Sequence, residues 1–190
     1  MAPDSVHIVV LSGCSGVGKS IIARLMAAKM RRCANIEVDV LRYMVIGGLV
    51  AGSAGTRPEY DLDGYREQCR LGDDNAVRLA SGFAERGFSS VIEGFDDDRI
   101  LDQVVLARSF SGSVVKTVLL TCRRDVLSSR WAARGWGSRL PAEMGQQERA
   151  FLSVCSGSID TTTGSAGDQA DRALRIVFFS SDSNARHGSG

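Results

Sequence analysis

The stretch "LSGCSGVGKS", residues 11–20, decides the fold. It follows the apolar run His7-Ile8-Val9-Val10-Leu11 and leads into Ile21-Ile22-Ala23-Arg24-Leu25. Gly13, Gly16 and Gly18 give the backbone freedom to turn successive N–H groups onto one anion. The spacing Gly13-x-x-x-x-Gly18-Lys19-Ser20 fits the Walker A phosphate-binding pattern in full, and its setting fits too, with a strand before and a helix after. The helix N-terminus adds the positive end of its dipole. Lys19 would reach the β- and γ-phosphates and Ser20 would ligate Mg2+. The stretch implies ATP or GTP with Mg2+, and ATP is the nucleotide expected. Gly13, Ser15, Gly16, Val17, Gly18, Lys19, Ser20 and Ile21 are its expected contacts.

Working outward, apolar runs and helical periodicity alternate along the chain. Strands are expected at residues 7–11, 35–38, 88–94 ("FSSVIEG"), 113–122 ("SVVKTVLLTC") and 173–179 ("ALRIVFF"). Helices are expected at residues 19–31, 40–47, 61–86, 98–109, 123–135 and 142–155, with a Gly- and Pro-bearing loop after residue 47. Alternation of this kind specifies an α/β domain, a parallel five-stranded sheet covered by helices on both faces, with sites at the carboxyl ends of the strands. One domain over residues 1–182 is expected, with residues 183–190 as a polar tail.

Composition narrows the function classes. The formal net charge is +1, so no global field draws the protein to nucleic acid or membranes. The N-terminus has no basic leader and only a five-residue apolar run, which predicts neither a signal peptide nor a membrane span. Cys14, Cys33, Cys69, Cys122 and Cys155 are scattered without a C-x-x-C, which reads as free thiols in the cytoplasm rather than a zinc site. The oligomeric state is left at monomer or homodimer.

A phosphate loop alone does not separate a switch, a motor and a kinase. No N-K-x-D guanine-reading element is present; "EVDVLRYM", residues 37–44, stands instead. Asp39 falls just past the second strand, at the sheet edge that carries the loop. There it could cap the next helix, or accept the proton of a substrate hydroxyl while Arg42 holds substrate or phosphate. The upstream loop favours the second role.

"GCSGVGKS" followed by D-x-x-R resembles the small P-loop kinases, nearest to the chloramphenicol phosphotransferase-like enzymes and the kinase domain of polynucleotide kinases. The resemblance implies the three-layer α/β/α P-loop kinase fold, ATP and Mg2+ as cofactors, Asp39 as general base on an acceptor hydroxyl, and Arg42 as an acceptor or phosphate contact. It also implies a small lid, at about residues 134–141 here, whose arginines close over ATP. "RWAARGWGSR" supplies Arg130 and Arg134 one helical turn apart, then a Gly135-Trp136-Gly137 hinge and Arg139. Arg130 and Arg134 are the expected catalytic arginines, Arg130 also touching the nucleotide. Residues 157–174 resemble the segment of such kinases that lies near the adenine and leads into the last helix.

Glu93 ends the third strand, where it could hold Mg2+ through water or face the acceptor. Asp97 and Asp98 read as a helix-capping turn. Arg57, Tyr60, Tyr65 and Arg70, with Thr56, could line the acceptor site. Few charges there suggest a neutral, hydroxylated small molecule rather than a polyanion, so nucleic acid is not the expected partner. The sequence thus points to a small-molecule kinase, with an antibiotic or nucleoside-type acceptor suggested by the resemblance alone. A polynucleotide 5′-hydroxyl kinase and a regulatory ATPase remain the alternatives.

Overall fold

A computed structural model describes residues 5–50, 61–95, 100–110, 112–137, 140 and 144–179, the side chains of 103–105 and 144–147 excepted. The expected sites Thr56, Arg57, Tyr60, Asp97, Asp98 and Arg139 lie outside the described residues, as does part of the 134–141 lid segment.

Five parallel strands run β1 (His7–Ser12), β2 (Cys33–Glu37), β3 (Ser89–Glu93), β4 (Val114–Thr121) and β5 (Gly157–Asp160). Their order across the sheet is β2-β3-β1-β4-β5. Between them lie α1 (Lys19–Lys29), α2 (Val38–Arg42), α3 (Leu62–Ala84), α4 (Gln103–Ser109), α5 (Arg124–Ala133), α6 (Met144–Leu152) and α7 (Ala166–Phe179). Alternate residues of the central strands point to opposite faces. Val9, Leu11, Val91, Val118 and Leu120 meet Ile22 and Met26 of α1 and Ala170, Ala173 and Val177 of α7. Ile8, Val10, Ile92 and Leu119 meet Ala76 and Ala80 of α3 and Leu106 of α4. These strands are buried on both faces, which is why they read as continuous apolar runs.

One strand differs from the sequence reading. The fifth strand is Gly157–Asp160, "GSID", and "ALRIVFF" forms the second half of α7. The physical reason is period. Ala170, Ala173 and Val177 are buried at helical spacing. A Cβ on Gly157 would lie 2.9 Å from Ile176 Cδ1, so the glycine lets α7 lie close against the strand. A second difference concerns α2, which begins at Val38 with Glu37 as its N-cap. Asp39 therefore stands inside the first turn and is not the cap. Among the described residues no helix is long and apolar enough to cross a membrane.

Candidate active site

The strand order places β3 and β4 on either side of β1 and reverses the direction of chain progression there. The crevice outside the carboxyl end of β1 is therefore where a ligand fits in an open parallel sheet. Residues 13–18 occupy it. Gly13 and Gly16 need their missing side chains. Gly13 has φ +133° and a Cβ there would fall 2.4 Å from Leu120 O, while Gly16 has φ +86° and its Cβ would meet the Trp131 ring at 2.9 Å. Lys19 Nζ donates to Gly13 O at 2.6 Å and Cys14 O at 3.2 Å, folding over the loop. Gly18 begins α1 with no side-chain cap, so the first N–H groups of the helix face the crevice without a side-chain acceptor from the cap residue.

The loop is tied to the neighbouring strand. Ser20 Oγ donates to Glu93 Oε1 at 2.8 Å. Glu93 is level with Leu11 on β1 and Glu37 on β2, and is buried. Burial pushes its carboxyl above the ordinary value of 4.5; the Ser20 hydrogen bond and the Lys19 charge oppose this, and Glu37 and Asp39 add to it. A glutamate whose folded value is raised lowers stability as pH rises and costs nothing once both states are protonated. Glu93→Gln keeps an acceptor for Ser20 and removes the charge. Its melting temperature should exceed that of the wild type at pH 8, and the gap should close as pH falls toward 4.5, in thermal scans without nucleotide or metal.

Mg2+ can be tested against these residues. Ser20 spends its hydrogen on Glu93, so its lone pairs are left for a cation, and both groups are hard oxygen donors. Mg2+ keeps several waters and takes one or two protein ligands plus phosphate oxygens. Among the described residues no group of three or more His, Cys, Asp or Glu could hold a metal, and this cation does not require one. Ser20 and Glu93 fit it.

On the β3 side, Asp39 sits in the first turn of α2, its side chain 69% exposed. A Cβ on Gly94, directly after Glu93, would stand 3.8 Å from the Asp39 backbone nitrogen, so α2 starts against the end of β3. Arg42 turns inward. Its Nη1 donates to Tyr65 Oη at 3.1 Å and Cys69 Sγ at 3.5 Å, and its Nη2 donates to Tyr43 Oη at 3.0 Å and pairs with Asp39 Oδ1 at 3.3 Å. The guanidinium also lies over the Tyr43 and Tyr65 rings. Burial disfavours its charge, but Cys69, Asp39 and Tyr65 outweigh this and hold it firmly protonated. Arg42, expected to meet acceptor or phosphate, is 8% exposed in this arrangement and pairs with Asp39. Arg70 lies exposed on α3.

On the β4 side, Arg130 Nη2 donates to Thr161 O at 2.7 Å and Nη1 donates to Val17 O at 3.3 Å. The guanidinium expected to face a transferred phosphoryl is therefore bound to backbone carbonyls. Arg134 follows the last turn of α5 and stacks 5.0 Å from the Trp136 ring centroid, flanked by Gly135 and Gly137 with φ +74° and +82°. Two residues the sequence reading missed belong here. Trp131 Nε1 donates to Ser15 O at 2.7 Å, and Thr161 Oγ1 lies 2.9 Å from Val17 O. Trp131 carried a signal, since it stands beside Arg130 in the segment already singled out. Thr161 lay within residues 157–174, the segment placed near the adenine by resemblance, but its contact with the loop had no signal of its own.

The fold has many counterparts. A sugar kinase from Janibacter sp. superposes with a TM-score of 0.60 at 21% identity, over 91% of this chain and 94% of that one. The tunicamycin resistance protein of Deinococcus radiodurans gives 0.61 at 16% identity, over 90% and 95%. The APS kinase of Mycobacterium tuberculosis, in complex with AMPPNP and APS, gives 0.58 at 17%, over 92% and 98%. The chain thus has the P-loop kinase α/β fold. No curated protein matches it in sequence. A family model described as an AAA domain, AAA_18, matches residues 9–150, and the chain belongs to that family.

Proposed function

We propose that the protein is an ATP- and Mg2+-dependent phosphotransferase that moves the γ-phosphoryl group to a hydroxyl of a small molecule. The observation that carries this reading is the exposed Asp39 carboxylate in the first turn of α2, at the same carboxyl edge of the sheet as the phosphate loop and braced by a buried Arg42. The likeness in fold to sugar, shikimate and APS kinases supports the same class.

In this reading residues 13–21 cradle the phosphates through backbone N–H groups and Lys19 neutralises the β/γ-oxygens. Ser20 and Glu93 would hold Mg2+, which would offset the charge of the phosphate oxygens. Asp39 orients the acceptor hydroxyl in line with the γ-phosphorus and takes its proton as the new O–P bond forms, while the bond from that phosphorus to the β,γ-bridging oxygen breaks and ADP leaves. Arg134 and the segment to about residue 141 close over the nucleotide from the β4 side, and residues 1–182 act as one domain. Arg57 and Tyr60 contribute to the acceptor pocket.

The acceptor is uncharged. Asp39 would repel an anion, and both terminal nitrogens of Arg42 are already engaged. Val40, Tyr43 and Met44 are exposed beside Asp39 and suit an apolar body, as in an antibiotic or nucleoside-type product. Incubation with γ-labelled ATP and a panel of nucleosides, antibiotics, sugars and 5′-hydroxyl oligonucleotides tests this. Label should move to an uncharged small alcohol; transfer to oligonucleotides only, or to water only, would overturn it.

Arg42→Lys keeps the charge but loses the planar fork that meets three side chains and Asp39 at once. With the base misplaced, kcat should fall roughly 10- to 100-fold while the KM for ATP stays constant, as steady-state kinetics at saturating acceptor would show.

A further inference from the structure

The phosphate loop is held from behind by three side chains, each with a bond to one of its carbonyls. Trp131 Nε1 reaches Ser15 O at 2.7 Å, and the same indole lies against Gly16, where a Cβ would come within 2.9 Å of it. Thr161 is 1% exposed and its hydroxyl stands 2.9 Å from both Val17 O and Thr121 O. Arg130 closes the triangle through Val17 O and Thr161 O. No described peptide bond is cis. In a trans peptide the C=O and the following N–H point in opposite directions. Fixing Ser15 O and Val17 O on the α5–β5 side therefore turns the N–H groups of Gly16 and Gly18 to the other side of the loop, toward the crevice.

We propose that Trp131, Thr161 and Arg130 are positioning residues that set the direction of the phosphate-facing N–H groups. They act on the phosphates through the loop and touch neither the nucleotide base nor the transferred group. The inference rests on the reading of residues 13–20 as a nucleotide phosphate site. The glycines make the loop adaptable, and an adaptable loop must spend binding energy on ordering itself unless something outside holds it. The clamp supplies that order before the ligand arrives. Trp131 also stacks edge-on with Trp136 at 6.0 Å, so the clamp is continuous with the Gly135–Gly137 segment.

The test compares three ligands by calorimetry: ATP, inorganic triphosphate and adenosine. Trp131→Phe keeps a ring against Gly16 and deletes the N–H donor. Thr161→Val deletes the hydroxyl, and Thr161→Ser restores it. Each loss should weaken ATP and inorganic triphosphate by the same factor, roughly 3- to 10-fold for one hydrogen bond, with Thr161→Ser close to wild type. Adenosine binding should not change. A loss confined to ATP, with triphosphate unaffected, would mean that these residues meet the base, and the proposal would be wrong. Unchanged affinities for both phosphate ligands would remove the clamp's role while leaving the phosphate site intact. Wild-type protein that binds no triphosphate would overturn the phosphate-site reading itself, and the inference with it. Should Thr161→Val fail to fold, Trp131→Phe alone decides.

Discussion

Asp39→Asn should lower the rate of phosphoryl transfer by roughly two to four orders of magnitude, the range for removing a general base. The side chains are nearly isosteric, so the substituted amide would keep the volume and a polar oxygen in the first turn of α2. What it loses is the ability to take a proton, and the ion pair with Arg42 at 3.3 Å. Because Asp39 is 69% exposed and the buried Arg42 keeps its bonds to Tyr43, Tyr65 and Cys69, the stability of the fold should change by no more than about 1 kcal/mol, the scale of one hydrogen bond. The affinity for ATP should also hold, since the loop, Lys19 and Ser20 follow β1, and β3 stands between β1 and the β2 strand that leads into α2. The signature is thus a collapse of kcat with an unchanged melting temperature and an unchanged ATP dissociation constant. A loose transition state places little demand on the base and would bring the loss to the lower end of the range. A variant that still turned over with the best acceptor at the wild-type rate would remove Asp39 from the chemistry.

The part of this site that was legible in the sequence is the part built from local spacing. Gly13, Gly18, Lys19 and Ser20 identify themselves because the loop is contiguous and its physics is local. Asp39 and Glu93 could be placed because one follows a strand and the other ends one, and parallel strands bring their carboxyl ends to one edge. The fate of Arg42 was not legible. D-x-x-R gives its distance along α2 from Asp39, but whether it faces the crevice depends on Tyr65 and Cys69 of α3, more than twenty residues downstream. The fifth strand misled for a different reason. "GSID" is a short edge strand with only Ile159 buried, whereas "ALRIVFF" is apolar enough to imitate a strand. The helical spacing that begins with Gln169 and Ala170 separates the two only when read from further upstream. The clamp on the loop depended on that same strand, since Thr161 follows directly from it. One misread element thus hid a second feature that no motif announces.

Gly13→Ala should cost about 2–6 kcal/mol, adding the strain of a side chain at φ +133° to the displacement its Cβ would force. The atom in the way is Leu120 O, 2.4 Å from the Cβ position, and Val17 Cγ1 stands at 3.2 Å. A flexible side chain could move aside, but Leu120 O belongs to the backbone of β4, which is bonded to β1 and β5 on either side. Relief must therefore come from the loop itself, by lifting Gly13 off the sheet, or from parting β1 and β4 at their carboxyl ends. The first route turns the following N–H groups away from the anion; the second opens the core around Val118 and Leu120. Either way stability and nucleotide affinity fall together, unlike the outcome at Asp39. Against a total stability of about 5–15 kcal/mol, the drop is a large share, on the order of 10 °C in melting temperature for a domain of this size. Gly82 provides the opposite sign within the same chain. It lies in α3 with nothing within 4 Å of its Cβ position, so Gly82→Ala should add about 0.5–1 kcal/mol by lowering the entropy of the unfolded chain. Thermal melts of the two variants in parallel separate a glycine kept for its conformation from one that is free to change.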